Sequence, residues 1–321
     1  MEISINKEKF EGYLYDSKLE VKQVQNKESA NFGKEYIGGS IDVLTSEDGM
    51  NIVTVKYTYV TPTTAKGAEN KTYKALKQII DSGKTVLADG KDNATKVKID
   101  TALALNEFFS DKNGERQLVS AKENNGGFLT IVSSIEPVEE KRTRFECDMY
   151  ITGYKDVEKE DKDGNVADSY GELSGYVFNF KGDALPVTFK VRTDAGRNYF
   201  AGLDLNEHNP LFTNVRGQVK CIQRTYKKEI ESAWGEPEVQ EYTSTSKEWV
   251  VSASSPEGYP LGDSEQGVTP EDVKAFLAAR EKTVAEIDAR QKAYEASKES
   301  ASAFGGAATT PTKATAAAYN F

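Results

Sequence analysis

Basic and aromatic residues recur together in two short segments of this chain. "VTVKYTY" covers residues 53–59 and "VTFKVRT" covers residues 187–193, and apolar and polar side chains alternate in both. A period of two is typical of a strand, so Lys56 in one segment, and Lys190 and Arg192 in the other, would lie on a polar face. Cations bind phosphate groups, and aromatic rings stack on unpaired bases at about 1–3 kcal/mol per base. Both segments therefore fit a surface that binds single-stranded nucleic acid, or else the ordinary solvent side of a half-buried sheet.

Other basic residues could extend such a surface. "NKTYKALKQIIDSG" carries lysines at helical positions, and "RGQVKCIQRTYKK" at 216–228 holds five basic residues and no acid. A shorter basic segment, "KRTR", spans 141–144 and fits a contact or a solvated face equally well. The predicted nucleic-acid-binding residues are Lys56, Tyr57, Lys71, Tyr73, Lys74, Tyr176, Phe178, Lys190, Arg192, Arg216, Lys220, Arg224, Lys228 and Trp249. For Tyr57 and Phe178 a position in the core is an equally good interpretation, because strand aromatics are commonly buried.

The signatures of common enzymes and metal sites are missing from the sequence. It holds no phosphate-binding Gly-Lys-Ser/Thr loop, no dinucleotide glycine fingerprint and no Gly-x-Ser-x-Gly elbow. The one histidine, His208, lies in a turn-like stretch, and Cys147 and Cys221 are far apart, which predicts buried, reduced thiols and no zinc site. "EDKDGNVAD" departs from the calcium-loop pattern and predicts a hairpin loop. We therefore expect neither an enzyme nor a protein with a metal or cofactor.

Charge and hydropathy restrict the class of protein further. The net charge of -10 argues against a uniformly basic surface that coats duplex DNA, although a single groove can still be basic. No apolar run approaches the roughly 20 residues that cross a bilayer, and the first residues do not resemble a signal peptide. These features predict a cytoplasmic protein with no membrane partner.

Three matches in the same order indicate that one half of the chain duplicates the other. The first pairs Gly39-Ser40-Ile41 with Gly175-Tyr176-Val177, and the second pairs the two strands that carry Lys56 and Lys190. The third pairs "GFLTIVSSIEP" with "KEWVVSASSPE", apolar strands that each end in small hydroxyl residues and a proline. Collinear matches predict two copies of one domain, each closed by the last of these strands.

The elements around these matches are mainly β-strands separated by polar turns. In the first half, one helix is predicted after the third strand, and "ERQLVSAKEN" and "GFLTIVSSI" are predicted as separate strands after it. Thr269 followed by Pro270 and two acids predicts the start of a C-terminal helix. The predicted boundaries are 1–140 and 141–257 for the two domains, 258–268 for a linker, 269–299 for the helix and 300–321 for a flexible tail.

Five strands with a helix after the third strand form the outline of an oligonucleotide-binding (OB) barrel. Two such barrels, a linker and a tail ending in Phe321 resemble the single-stranded DNA-binding proteins that bacteriophages encode. The resemblance implies sequence-tolerant binding of single-stranded DNA in phage replication or recombination, in the host cytoplasm, with Phe321 as a contact for other replication or recombination proteins. Such proteins commonly end in an acidic run, whereas "ATAAAYNF" has no acid. The alternatives are a β-rich structural or assembly protein of a virion and an adhesin, and the oligomeric state stays open.

Overall fold

The computed structural model describes residues 5–112, 114–160, 164–230, 234, 238–255 and 269–303. Its strands are β1 Asn6–Ser17, β2 Glu20–Gln23, β3 Glu35–Leu44, β4 Ile52–Val60, β5 Lys96–Lys112, β6 Glu115–Ile131, β7 Thr143–Glu160, β8 Val166–Phe178, β9 Ala184–Val191, β10 Leu211–Ile230 and β11 Glu238–Ser254. Its helices are α1 Lys71–Ser82, α2 Val86–Asp89, α3 Asp194–Ala201 and α4 Pro270–Ala303.

The first five long strands close into a barrel. Neighbours around the barrel are β1, β3, β4, β6 and β5, and β5 pairs again with β1. The pairs β1–β3, β1–β5 and β3–β4 are antiparallel, whereas β4 and β6 meet in parallel where Val55 lies opposite Asn124. Helix α1 connects β4 to β5, after the third strand of the barrel. This connectivity is that of an OB barrel.

The second set of five strands repeats this connectivity. Neighbours around it are β7, β8, β9, β11 and β10, and β10 closes the barrel by pairing with β7. Strands β9 and β11 are again parallel, where Lys190 lies opposite Val250, and α3 again follows the third strand. An antiparallel ladder between β1 and β7 joins the barrels into one eleven-stranded sheet in the described part of the chain. The prediction of a mainly β fold with two OB-like barrels, each with a short helix, is confirmed.

The registers show which residues correspond in the two barrels. Tyr57 lies opposite Gly39 in the first barrel, and Val191 lies opposite Gly171 in the second. The match between the strands of Lys56 and Lys190 is supported, because each is the third strand of its barrel and pairs in parallel with the last strand. With these lysines aligned, Gly171 corresponds to Gly39, and the match of Gly39 with Gly175 stays a prediction.

Strand β6 is one continuous strand, where the sequence predicted two. The interruption that suggested two strands is the pair Gly126 and Gly127, which have φ of 71° and 98°. A Cβ on Gly127 would lie 2.2 Å from the Asp100 carbonyl oxygen, so glycine allows β6 to approach β5 closely while its backbone bends. The segment before the glycines and the segment after them thus belong to the same strand.

Apolar residues on alternating positions fill both barrels. Buried residues include Phe10, Ile41 and Val55 in the first barrel and Met149 and Phe189 in the second. Cys147 and Cys221 are free and buried as predicted, and burial raises the pKa of both thiols.

Helix α4 begins at the predicted residue. Thr269 caps it: its hydroxyl accepts the Asp272 amide N–H at 3.1 Å, while the Asp272 carboxylate accepts the Thr269 amide N–H at 3.0 Å. Val273 and Phe276 then pack on an aromatic cluster of the second barrel, where the Phe276 and Phe178 ring centroids are 4.9 Å apart. The helix reaches Ala303, four residues past the predicted end, and most of the predicted tail, including Phe321, lies outside the described residues.

The chain divides into two compact units. One contains residues 1–106 and 121–280, and the other contains residues 107–120 with residue 281 onward. The predicted division at residue 140 stays a prediction. None of the described helices is long and apolar enough to span a membrane.

Candidate nucleic-acid interface

Lys56 and Lys190 occupy equivalent positions, and each binds a glutamate of the last strand of its own barrel. The Lys56 ammonium lies 2.5 Å from the Glu123 carboxylate, and the Lys190 ammonium lies 2.7 Å from the Glu248 carboxylate. Because each glutamate is two residues before the residue opposite its lysine, the two ion pairs are equivalent. The predicted cationic face is therefore partly neutralised in both barrels.

Arg192 is neutralised further by two carboxylates. Its guanidinium binds Asp168 at 2.7 Å and Glu248 at 2.8 Å. The hydrogen bonds that Arg192 donates, first to Asp168 and then to Glu248, raise the pKa of Arg192, although burial opposes the shift. The ring of Tyr170 lies beneath this group, with the Lys190 ammonium 4.1 Å from its centroid. The second barrel thus uses Lys190 and Arg192 in an internal ion-pair network.

Three predicted stacking residues lie in the core, where they are closed to a base. Tyr57 is 1% exposed, and Phe178 and Trp249 are 2% exposed. The Trp249 indole N–H donates to the Glu8 carboxylate at 2.7 Å, which gives its one polar atom a buried partner. Alternation along a strand predicted an apolar face for Tyr57 correctly, and in a closed barrel that face points inward.

The remaining predicted residues are dispersed. Tyr73 is half-buried and its hydroxyl donates to Glu35; burial first, and then this bond, raises its pKa to about 12. Tyr176 is half-buried beside the cluster under α4. Lys71 and Lys74 are exposed on α1, and Lys220 is half-buried. The Arg224 and Lys228 side chains lie outside the described part of the chain, although β10 includes both residues.

A groove of about 1890 Å³ crosses the sheet where the barrels meet. Its floor is the outer face of neighbouring strands, and the ladder registers align the side chains in two rows. In one row Lys9 lies opposite Asp100 on β5 and Arg144 on β7. In the other row Glu146 of β7 lies opposite Lys7 on β1 and Arg216 on β10. Of the predicted residues whose side chains the structure describes, Arg216 alone lines the groove.

Cations predominate in this groove. Its basic residues are Lys7, Lys9, Lys141, Arg144, Lys181 and Arg216, and its acidic residues are Glu8, Asp100, Glu140 and Glu146. Lys9 binds Glu11 at 2.8 Å, and Arg216 lies 3.8 Å from Glu146.

Two of the basic residues face each other directly. Lys9 and Arg144 are opposite on neighbouring strands, an arrangement that destabilises a sheet unless an anion lies between them. Among the described residues, no carboxylate forms an ion pair with Lys7, Lys141, Arg144 or Lys181, so these four cations are available to a ligand.

Exposed aromatic rings lie at the groove on both barrels. Tyr59 and Phe128 of the first barrel are 45% and 75% exposed, and Phe180 of the second is 80% exposed. Phe128 follows directly after the bend at Gly127 and therefore belongs to the groove wall. Tyr59 also contacts Tyr36, with ring centroids 4.7 Å apart. Large apolar side chains this exposed are typical of binding sites.

Two polar residues, the buried Glu8 and the half-buried Lys122, connect the barrels. Burial, partly offset by the Trp249 hydrogen bond and by Lys122, raises the pKa of Glu8 to about 8. Lys122 of β6 donates to the Thr188 carbonyl of the second barrel, and its ammonium lies 4.9 Å from the centre of the Trp249 ring. Burial, and then the positive charge of Lys190, lowers the pKa of Lys122 to about 8. This pair ties the barrels together, because its hydrogen bonds run from strands of one barrel to strands of the other.

Sequence reasoning missed most of the groove. "KRTR" was recognised as a basic segment, whereas Lys7 and Lys9 were not singled out. Their alternation with Glu8 and Phe10 in "NKEKF" is the signal that could have identified them. Within the described residues, no group of acidic, histidine or cysteine side chains could hold a metal ion.

Comparison with known proteins gave a family match. A family model described as YorF matches residues 6–290. No curated protein matches the sequence significantly.

Two crystal structures of the single-stranded DNA-binding protein from Thermus aquaticus are similar to this chain. The wild-type structure has a TM-score of 0.44 at 9% identity and covers 83% of this chain and 98% of that chain. A deletion mutant that also carries a substitution has a TM-score of 0.42 at 10% identity and covers 84% and 100%. TM-scores this low do not support a structural assignment. The two barrels are therefore assigned from strand order and register.

Proposed function

This chain belongs to the YorF family, and we propose that it binds single-stranded DNA, with little sequence preference, in the groove between its two barrels. The observation that carries the proposal is the groove itself. Cations with no ion-pair partner among the described residues line it, and exposed aromatic rings from both barrels border it. Single-stranded nucleic acid requires this combination, because its backbone is anionic and its bases have free π faces.

The two kinds of residue have separate tasks. Lys7, Arg144 and Arg216 would bind phosphates, since they lie on one sheet face in neighbouring strands. Phe128 and Phe180 would stack on bases, which explains why two phenylalanines remain exposed to water. The cations line up from strand to strand, so the DNA would cross the strands and contact both barrels. Neither contact reads base edges, and low sequence preference follows.

The proposed role is protection of single strands during phage replication or recombination, in the host cytoplasm. The protein would act by binding and not as an enzyme, and it would need no cofactor. Phe321 stays a predicted contact for replication or recombination proteins. The predicted domain division at residue 140 fits this role, because each of the two parts would supply one barrel and one side of the groove.

A fluorescence titration with labelled oligo-dT tests the proposal. We expect binding at 50 mM salt that weakens steeply as salt rises, because phosphate contacts release counterions. Arg144→Ala should weaken binding several-fold, whereas Lys27→Ala, a matched change of an exposed cation outside the groove, should leave it unchanged. Absence of binding at 50 mM salt would refute the function. Salt-insensitive self-association in that case would favour the virion assembly alternative.

A further inference from the structure

Residues 132–142 connect β6, the last strand of the first barrel, to β7, the first strand of the second barrel. This connection is held to the first barrel by hydrogen bonds. At its start, the Val132 N–H donates to the Lys96 carbonyl at 2.9 Å. In its middle, the Glu136 N–H donates to the Glu11 carboxylate at 2.9 Å. At its end, the Arg142 carbonyl accepts the Glu11 N–H at 2.9 Å. The connection is thus bound to β5 at its start and to β1 in its middle and at its end.

The side chain of Arg142 fixes this connection from inside. The residue is 4% exposed, and its Nε donates to the Glu136 carbonyl at 2.6 Å. Its Nη1 donates to the Glu47 carboxylate at 2.6 Å and to the Thr45 carbonyl at 3.3 Å. The Glu47 N–H in turn donates to the Glu139 carboxylate at 2.8 Å. A planar guanidinium can hold acceptors in several directions at once, which a lysine ammonium does less well.

The same connection also reaches the second barrel and the groove. The side-chain amide of Gln218, on β10, donates to the Glu140 carbonyl at 2.8 Å. Lys141 is the next residue, is exposed and lines the groove. A short 3-10 turn covers Glu139–Lys141, so the orientation of Lys141 depends on the bonds at both ends of that turn.

We infer that Arg142 is a positioning residue for nucleic-acid binding, which acts by holding Lys141 in the groove and so makes the two barrels one composite site. The inference rests on the proposed function. A cation held in place loses little conformational freedom when a phosphate arrives, so a fixed connection strengthens binding without a contact of its own. Arg142 itself is buried and does not line the groove.

A double-mutant cycle tests this inference. Oligo-dT affinity is measured against salt for Lys141→Ala, Arg142→Gln and the double variant. Lys141→Ala should reduce the slope of log affinity against log salt by about 0.7, the value for one phosphate contact on a single strand. Arg142→Gln should reduce it similarly, and the double variant should show no further loss. Additive losses would overturn the inference, because they would mean that Arg142 does not act through Lys141.

Milder variants keep the test valid if Arg142→Gln does not fold. Glu47→Ala removes one partner of Arg142 at a half-exposed site and leaves its two carbonyl partners in place. It should lower affinity less than Lys141→Ala does and should again be non-additive with it. Arg142→Lys should restore part of the salt slope. If the wild-type protein does not bind oligo-dT, the proposed function is refuted. If it binds but the affinity losses of the Lys141 and Arg142 variants add up, only the role of Arg142 is refuted.

Discussion

At the scale of single residues, Glu8 is a buried carboxyl group that joins the two barrels through Trp249. Its pKa is about 8 in the folded protein against 4.5 without burial, so the folded state binds more protons between these values. Stability should therefore fall as pH rises from about 4.5 to about 8, by at most ~1.4 kcal/mol per pH unit from this group.

Glu8→Gln should remove that fall, since the amide cannot ionise and still accepts the indole N–H. Urea denaturation at pH values from 3 to 8.5 measures the effect and covers the range in which the control below acts. Glu11→Gln is the control of opposite sign: hydrogen bonds from Lys9 and from the Glu136 amide outweigh burial and lower the pKa of Glu11. Its contribution is present above the unfolded pKa and is lost as pH falls. An unchanged fall in Glu8→Gln would contradict the assignment.

Phe128 and Phe180 test base stacking at the same scale. Each phenylalanine replaced by alanine should cost about 1–3 kcal/mol of binding free energy, with little change in salt dependence, because no charge is removed. Phe32→Ala is the matched control, since Phe32 is 52% exposed and does not line the groove. Equal losses in all three variants in an oligo-dT titration would argue against stacking.

At the scale of elements, the bend in β6 depends on Gly127. A Cβ on Gly126 would meet open space, so alanine there should lower the free energy of unfolding only through the positive φ, by about 1–2 kcal/mol. Alanine at Gly127 adds a clash with the Asp100 carbonyl, so it should destabilise the fold more than alanine at Gly126 does. Urea denaturation of both variants decides this. Equal losses of stability in the two variants would mean that β6 can move away from β5 without destabilising the fold.

Helix α4 also protects a strand in the smaller compact unit. The Gln291 side chain accepts the Phe109 N–H at 2.8 Å and donates to the Phe109 carbonyl at 2.7 Å, as a neighbouring strand would. Gln291→Ala should speed hydrogen exchange at the Phe109 amide, because that group loses its acceptor. Gln117→Ala changes an exposed glutamine on β6 and should leave this amide unaffected. Unchanged exchange in Gln291→Ala would show that another group protects the amide.

At the scale of the whole molecule, a net charge of -10 coexists with a cationic groove. Binding should depend on the local charge, because salt screens distant charges beyond about 8–10 Å. Lys7→Glu with Arg144→Glu should abolish oligo-dT binding at 150 mM salt. Lys18→Glu with Lys27→Glu changes the total charge equally, at exposed positions outside the groove, and should cause a much smaller loss. Similar losses would mean that total charge governs binding.

The sequence by itself determined the class of elements and the repeat. Strand alternation, turn residues and helix caps are local signals, so the strands of Lys56 and Lys190, helix α1 and the start of α4 were predictable. The equivalence of the two closing strands also followed from residue order. Strands, turns and helix starts were predictable because each depends on residues within a few positions of it in the chain.

Only the tertiary structure decided which polar residues meet. Glu123 neutralises Lys56, and Glu248 neutralises Lys190, because each barrel pairs its third strand with its last strand, and these strands are distant in sequence. The groove forms from β1, β7 and β10, whose cations become neighbours through ladders between the barrels. Register across such ladders depends on the packing of two cores, which no short segment encodes.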